Sequence, residues 1–292
     1  MTRFFGVAKD WTSTLSTHLR TSARRRKLKF VNPPVNEVGI SVSFSERGAI
    51  SDYHIESLHD LFRAELPSIE RAFAAPGPEV LLMSGHPPLN IDPAIGRWWL
   101  KSADDTIVLQ LQENFIGLNW RRRSALDVPP EYPGYDEMAS RFHRYVGMLK
   151  AWHEDRGGTL PQPVACELLY DDLVQFQPQT ERAELSSILQ FWPSQKQRMV
   201  GWNTGWLEPL DGEGSDVAMN GAVMRFAAMA ATVTDPIAPA TPRPIVRLSF
   251  VAMCPSDSWS GVAAFLQAAH AHIRTRFIDI IVPEARQAWG EK

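Results

Sequence analysis

The chain has 292 residues, 44% of them hydrophobic and 22% charged, which is typical of one large globular domain or of two closely packed halves. The formal net charge of −3 is unevenly distributed: residues 1–30 carry eight cations and one anion, or +7, so the remainder carries −10. Because phosphate binding needs cations, an acidic body argues against a nucleic-acid surface spread over the fold.

The two cysteines, Cys166 and Cys254, both lie in apolar runs. So few cysteines argue against a disulfide framework or a thiolate zinc site, and they favour a reducing, cytoplasmic location. No apolar run approaches the roughly 20 residues that a membrane-spanning helix needs. We therefore expect a soluble cytoplasmic protein that does not insert into a membrane.

Residues 1–31 are predicted to form a flexible leader that is rich in serine and threonine and becomes basic towards its end. Its basic cluster consists of Arg24, Arg25, Arg26, Lys27 and Lys29. Three interpretations stay open: a flexible extension, a start codon placed too far upstream, or a tail that binds nucleic acid or acidic lipid through this cluster.

Folded structure is predicted to begin after Pro33-Pro34, where apolar residues alternate with small or polar ones over residues 38–44. This strict period of two is typical of a half-buried strand. Apolar spacing then predicts a helix over residues 53–66, with a further helical turn carried by Ile69 and Phe73.

A proline-rich connection over residues 74–96 is predicted to hold one short strand, Val80–Met83. Three strands joined by hairpin-length turns follow. They are Arg97–Ser102, Thr106–Gln112 and Phe115–Arg121. The next helix has apolar residues at alternating intervals of four and three from Met138 to Trp152, and Gly157-Gly158 ends it.

The second half is predicted to repeat this order, with a strand at Val164–Tyr170 and a short helix at Glu181–Phe191. Three strand-like segments follow, near Val200–Leu207, Val217–Ala231 and Ile245–Met253. A last helix carries an apolar stripe over residues 262–280. The sequence thus predicts one two-lobed α+β domain over 32–292, with pseudo-repeated halves at about 32–157 and 160–292 and helices packed on one face of an antiparallel sheet.

Several segments, taken in order, carry a resemblance to a known family. They are Pro33-Pro34-x-x-Glu37-Val38, Asn119-Trp120-Arg121, Tyr132-Pro133, Cys166-Glu167-x-x-Tyr170 and the ending Phe277…Trp289-Gly290. Over residues 32–290 the chain resembles a sporadically distributed bacterial family of uncharacterised proteins. The resemblance implies no activity, cofactor or catalytic residue. Its patchy distribution is compatible with accessory genes, including those of mobile or defence-type gene clusters.

Glu37 and Glu167 are the candidate catalytic residues, since each lies in the first strand of its half. If a pseudo-twofold relates the halves, the two carboxyls face each other in a central cleft, where paired carboxyls can do acid–base work. The simpler interpretation is a solvated or salt-bridged glutamate. Asp171 and Asp172 could join Glu167 at a divalent metal, although adjacent acids at the end of a strand are also typical of a loop start.

The most suggestive polar cluster is Asn119-Trp120-Arg121-Arg122-Arg123, because guanidinium groups beside an indole can hold a phosphate or stack on a base. The alternative is that Trp120 packs in the core and the arginines pair with the acidic body. From this cluster Asn119, Trp120 and Arg121 are the candidate binding residues. Tyr170 and Asp171 complete the candidate binding residues.

Histidines give no metal site, because His270 and His272 point in different directions from a helix. We interpret His270 as a half-buried structural residue, and we predict no metal and no cofactor.

The function predicted from these patterns is a non-catalytic binding or interaction module. It would recognise an unknown protein or small molecule across the sheet or in the groove between the halves, with oligomerisation possible. One alternative is a hydrolase-like or phosphate-handling enzyme that uses Glu37, Glu167 and Arg121. A second alternative is nucleic-acid binding through the basic leader.

Overall fold

The computed structural model describes residues 30–46, 48–84, 96–122, 131–175, 185–191, 203–210, 221–233 and 243–292. The basic cluster of the leader lies outside the described residues, as does the first part of the helix predicted over Glu181–Phe191. The described end of that segment contains a single turn of 3₁₀ helix, Leu185–Ser187. None of the helices within these ranges combines the length and the apolar character that crossing a membrane requires.

Within the described ranges, nine antiparallel strands form one sheet, and this sheet together with the helices confirms the predicted α+β class. The strands are β1 (Val35–Phe44), β2 (Ser68–Phe73), β3 (Gly96–Lys101), β4 (Ile107–Gln112), β5 (Phe115–Arg121), β6 (Pro163–Gln175), β7 (Asn203–Pro209), β8 (Val223–Val233) and β9 (Arg243–Pro255). Helices within the described ranges are α1 (Ile55–Phe62), α2 (Pro78–Ser84), α3 (Tyr135–Glu154), α4 (Trp259–Ile280) and α5 (Pro283–Ala288).

The strand order across the sheet is β2-β3-β4-β5-β1-β6-β9-β8-β7. The first strands of the two halves, β1 and β6, therefore pair with each other at the centre of the sheet. The last strand of each half lies on the outer side of its own first strand, because β5 pairs with β1 and β9 pairs with β6. Residues far apart in the chain thus become neighbours at the junction of the halves.

One face of the sheet carries the main hydrophobic core. Val38, Ile40 and Val42 alternate along β1 and are fully buried there, in one continuous cluster with apolar residues of α1, α3 and α4. Burying each of these side chains stabilises the fold by about 1.5–3 kcal/mol relative to exposure. The apolar spacing of α3 places Phe142 and Leu149 in the same cluster, as predicted from the sequence.

The opposite face of the sheet carries smaller and more polar side chains, and the segment before α2 is bound to it. Gln112 alternates with the core residue Leu111 along β4, so its side chain leaves the sheet on this second face. There it accepts a hydrogen bond from the backbone N–H of Ala75 (3.0 Å) and donates one to the carbonyl of Ala75 (3.2 Å). The predictions of helices on a single face and of two pseudo-repeated halves are not confirmed by this arrangement.

Two predicted local structures are wrong. Ser68–Phe73 is not a helical turn but strand β2, because Pro67 stops the helical pattern and the next residues pair with β3 along their whole length. The strand predicted at Val80–Met83 is instead part of α2, which begins at Pro78. Proline is favourable at the first position of a helix, and this run lacks the alternation of a strand.

Residues at the start of the first described segment pair with the C-terminal residues. The N–H of Val31 donates to the carbonyl of Gly290 (3.2 Å), and the N–H of Asn32 donates to that of Trp289 (3.0 Å). Gly290 has a φ of +74°, and a Cβ at this position would lie 2.9 Å from Val31. Both requirements favour glycine at this contact.

Candidate functional site

Most of the residues that the sequence singles out lie on the second, polar face of the sheet, at the junction of the two halves. The register of β1 with β5 places Glu37 opposite Arg121, and the register of β1 with β6 places Glu37 opposite Asp171. Asn119 and Glu167 share this face because they follow the same alternation. The register therefore sets Arg121 and Asp171 beside Glu37, whereas Glu167 lies opposite Ser41, four residues further along β1, and not opposite Glu37 as the predicted carboxyl pair requires.

A chain of hydrogen bonds crosses this polar face and ends on Glu37. Arg97 Nη1 donates to Gln110 Oε1 (2.7 Å), Gln110 Nε2 donates to Asn119 Oδ1 (2.5 Å), and Asn119 Nδ2 donates to Glu37 Oε1 (2.5 Å). Burial raises the pKa of Glu37, the hydrogen bond from Asn119 opposes this shift, and the charge of Asp171 adds to it. The amides of Gln110 and Asn119 and the carboxyl of Glu37 are thus hydrogen-bonded within the sheet, whereas Arg97 Nε has no partner among the described residues.

Arg121 is occupied by a protein carboxylate and is not an open phosphate site. Its Nη2 lies 2.6 Å from Asp105 Oδ1, and its guanidinium lies 5.3 Å from the centre of the Trp99 ring. Asp171 is similarly paired with Arg247, whose Nε lies 2.6 Å from Asp171 Oδ1. Trp120 is only 2% exposed and packs in the core, and Arg121 pairs with an acidic residue, as the alternative interpretation expects for these two residues.

Glu167 lies on the same face but is paired with Ser41, whose Oγ donates to Glu167 Oε1 at 3.5 Å. Burial raises the pKa of Glu167 to about 7, with Arg225 opposing the shift and Glu37 adding to it. Glu37 and Glu167 feel each other's charge, but no hydrogen bond between them exists in the described part of the chain. Asp172 leaves β6 on the face opposite to Asp171 and Glu167, so the three acids cannot surround one metal ion.

On the core face of the sheet, a large cavity opens between the start of α3 and the second half of α4. We call it the groove. Its volume is about 1190 Å³, and its lining comes from both halves and from both ends of the described chain. It includes Tyr132 and Tyr135 from the first half, Tyr170, Asp172 and His270 from the second half, and Phe30 and Trp289 near the ends.

A hydrogen-bonded cluster of aromatic side chains forms one wall of the groove. The hydroxyl of Tyr170 lies 3.3 Å from the hydroxyl of Tyr132 and 3.0 Å from His270 Nδ1. The ring of Tyr135 stacks on that of His270, with centroids 4.0 Å apart and planes 3° from parallel. The ring of Tyr132 lies 5.1 Å from that of Trp120, which links the groove to the core.

These groups are uncharged at neutral pH. Burial lowers the pKa of His270 to about 4, and the charge of Arg274 adds to this effect. Burial also raises the pKa of Tyr135 to about 12 and raises those of Tyr132 and Tyr170 well above the ordinary value. The wall therefore offers neutral hydrogen-bonding groups and aromatic surface.

Asp172 and Arg122 each place one polar atom at the groove that has no hydrogen-bond partner among the described residues. Asp172 is 3% exposed, and this atom is its Oδ1. Burial raises the pKa of Asp172 to about 8; the charge of Asp171 adds to the shift, and that of Arg122 opposes it. In Arg122 the atom is Nε, and burial lowers the pKa of this guanidinium. Leaving a buried polar atom unpaired is costly, so both atoms need an explanation.

Sequence reasoning missed most of this groove. From the sequence alone, His270 is interpreted as a structural residue. Tyr132 is named only as part of the family resemblance, and Asp172 only as a possible metal ligand. Strand alternation could have indicated two parts of the groove. It places Trp120 and Arg122 on one face at the end of β5, and Tyr170 and Asp172 on one face of β6. Only the pairing of β1 with both β5 and β6 shows that these two pairs lie near each other.

Comparisons with protein-family models, with curated proteins and with solved structures find no match to this chain. The resemblance to a sporadically distributed bacterial family, the cytoplasmic location and the link to mobile or defence-type gene clusters therefore stay predictions. The geometry of the groove is therefore the basis on which a function can be proposed.

Proposed function

We propose that this protein is a non-catalytic binding protein that takes a small organic molecule into the groove. One observation carries the proposal: the carboxyl of Asp172 is buried beside a cavity of about 1190 Å³, with Oδ1 unpartnered within the described residues. Ligand sites are typically concave, largely apolar and aromatic, and supplied with a few polar groups that orient the ligand.

The chemistry of the groove supports binding over catalysis. A general base works best with a pKa near the working pH, whereas the pKa of His270 is held at about 4 by burial. Its Nδ1 is already hydrogen-bonded to Tyr170. The thiols of Cys166 and Cys254 are buried among strand residues and their pKa values are raised, so both are poor nucleophiles.

The two-lobed layout supports a groove that belongs to both halves. The mirrored strand order, with β1 and β6 at the centre and β5 and β9 beside them, is what a pseudo-twofold relation between halves 32–157 and 160–292 would produce. Such a relation places the groove at the seam, where the lining comes from both halves.

Binding of the neutral dye Nile red to the full chain tests the proposal. We expect saturable binding with one dye per chain, because the groove combines aromatic walls with room for a planar molecule. Pro133→Trp places an indole at the exposed mouth of the groove and should weaken binding at least about tenfold. Leu207→Trp, on the exposed edge strand β7, is the matched control and should leave the affinity unchanged.

Absence of saturable binding would contradict the proposal. Equal affinity of the Pro133→Trp variant and the unsubstituted protein would also contradict it, since the dye would then occupy another surface.

A further inference from the structure

We propose that the ligand of the groove is an organic acid: its carboxylate lies between Arg122 and Asp172, and its apolar part lies against the aromatic residues at the other end of the groove. This inference rests on the proposed function and adds the chemical class of the ligand.

Arg122 and Asp172 supply the polar end of the site. Arg122 is a permanent cation, and its Nε has no hydrogen-bond partner among the described residues. The charges of Arg122 and Asp172 influence each other, yet neither a hydrogen bond nor an ion pair joins the two side chains. A carboxylate placed between them accepts from the guanidinium and from the protonated carboxyl of Asp172. Hydrogen bonds to an ionised acceptor are about twice as strong as neutral ones.

The start of α3 faces the same cavity and favours an anion there. Its N-cap is Gly134, with a φ of +91° and no side-chain hydrogen bond to the free N–H groups of the first turn. The positive end of a 20-residue helix favours a nearby anion. Two carboxylates that also line the groove, Glu131 and Asp136, are exposed, so water and salt screen them.

Aromatic rings that line the groove provide a surface for the apolar part of the ligand. Phe277 lies 5.8 Å from Phe30 and 5.8 Å from Trp289, measured between ring centroids, and all three rings line the groove. Aromatic surface of this kind accommodates a flat apolar group. An acid with an aromatic or other hydrophobic body therefore matches both ends of the cavity.

The proton on Asp172 gives the site a characteristic pH dependence. The charged and titratable groups around Asp172 are Asp171 and Tyr170 on β6, Arg122 after β5, Tyr132 and Asp136 near the start of α3, and His270 and Arg274 on α4. With a pKa of about 8, Asp172 donates to a carboxylate below that pH and repels it above. Affinity for an acid is thus expected to be constant from pH 6 to 7.5 and to fall about tenfold per pH unit above pH 8, for one linked proton.

Four probes with one ring system test the ligand class on the full chain by calorimetry: 2-naphthoate, 2-naphthamide, 2-naphthylmethylamine and 2-naphthyl phosphate. We expect naphthoate to bind at least about tenfold more tightly than each of the others at pH 7. Arg122→Gln should remove this preference, whereas Arg63→Gln, at the exposed end of α1, should preserve it. Asp172→Asn replaces the titrating donor with one that does not titrate, so the affinities of this variant at pH 7 and pH 9.5 should differ by less than about twofold.

Preference for the amide or the amine overturns the inference, and tighter binding of the phosphate assigns a phosphate ligand instead. If Nile red binds in the groove but naphthoate shows no preference, the inference fails while the proposed function stands. If neither binds, both fail.

Discussion

At the scale of single residues, Asp172 shows how burial sets the protonation of a carboxyl. It follows Asp171 directly, yet the two side chains leave β6 on opposite faces and meet different partners. Asp171 is neutralised by Arg247, whereas Asp172 keeps its proton near neutral pH because burial raises its pKa to about 8. Adjacent, chemically identical residues thus acquire different roles.

We predict that Asp172→Asn stabilises the protein at high pH. In the unfolded chain an aspartate has a pKa near 3.9, so between about pH 4 and pH 8 the folded state binds more protons than the unfolded state. Stability therefore falls as pH rises through this window and then levels off. Asparagine removes this loss, and the free energy of unfolding at pH 8.5 should increase by on the order of 5 kcal/mol.

Urea denaturation at pH 4.5 and pH 8.5 measures this effect, and the gain should be small at the lower pH. Asp104→Asn is the matched control: burial acts against it, but hydrogen bonds from Ser102 and Thr106 hold the pKa of Asp104 below its ordinary value. That substitution should destabilise. Equal gains for Asp172→Asn at both pH values would contradict a raised pKa.

At the scale of elements, local pattern predicts a helix or strand well where the apolar residues lie on one face. The core side of β1 and the apolar stripe of α3 are examples. The prediction that β1 is only half-buried is wrong, because Ser41 and Ser43 on its other face are buried as well. The same reasoning fails for β2, where Ile69 and Phe73 are also spaced as on a helix, and for α2, where a short apolar run lacks any period. In β2 the pairing with β3 overrides the local pattern.

Truncation within α3 tests the packing of this element. Phe142 is fully buried against the sheet, while its neighbour His143 lies on the exposed side. Phe142→Ala should cost about 3–5 kcal/mol because it removes buried apolar surface and leaves a cavity. His143→Ala should change the free energy of unfolding by less than about 0.5 kcal/mol. Similar costs in chemical denaturation would show that α3 does not pack as described.

At the scale of the whole molecule, the sheet unites the two halves through the pairing of β1 with β6. Both strands are bonded on each side and lie in the middle of nine strands, whereas β2 and β7 form the edges. The groove lies over this junction, so its geometry depends on the halves staying joined.

Hydrogen exchange should follow this order. We expect the central amides of β1 and β6 to exchange last, at rates set by global unfolding, and those of β2 and β7 to exchange first through local opening. Mass spectrometry of the intact protein after timed exchange and proteolysis measures this difference. Protection of β2 equal to that of β1 would contradict the edge position or indicate a partner strand.

Local sequence pattern establishes which face of each regular element a side chain occupies, because alternation along a strand and spacing along a helix are local properties. The pattern therefore predicted the α+β class, most strands, α3, α4 and the packed state of Trp120. Which faces meet depends on the tertiary structure. The register of β1 with β5 and β6 places Glu37 opposite Arg121 and opposite Asp171, which lies more than a hundred residues further along the chain. Arg122 and Asp172, about fifty residues apart in the chain, line one groove. Such contacts depend on the packing of the whole core, which no local pattern encodes.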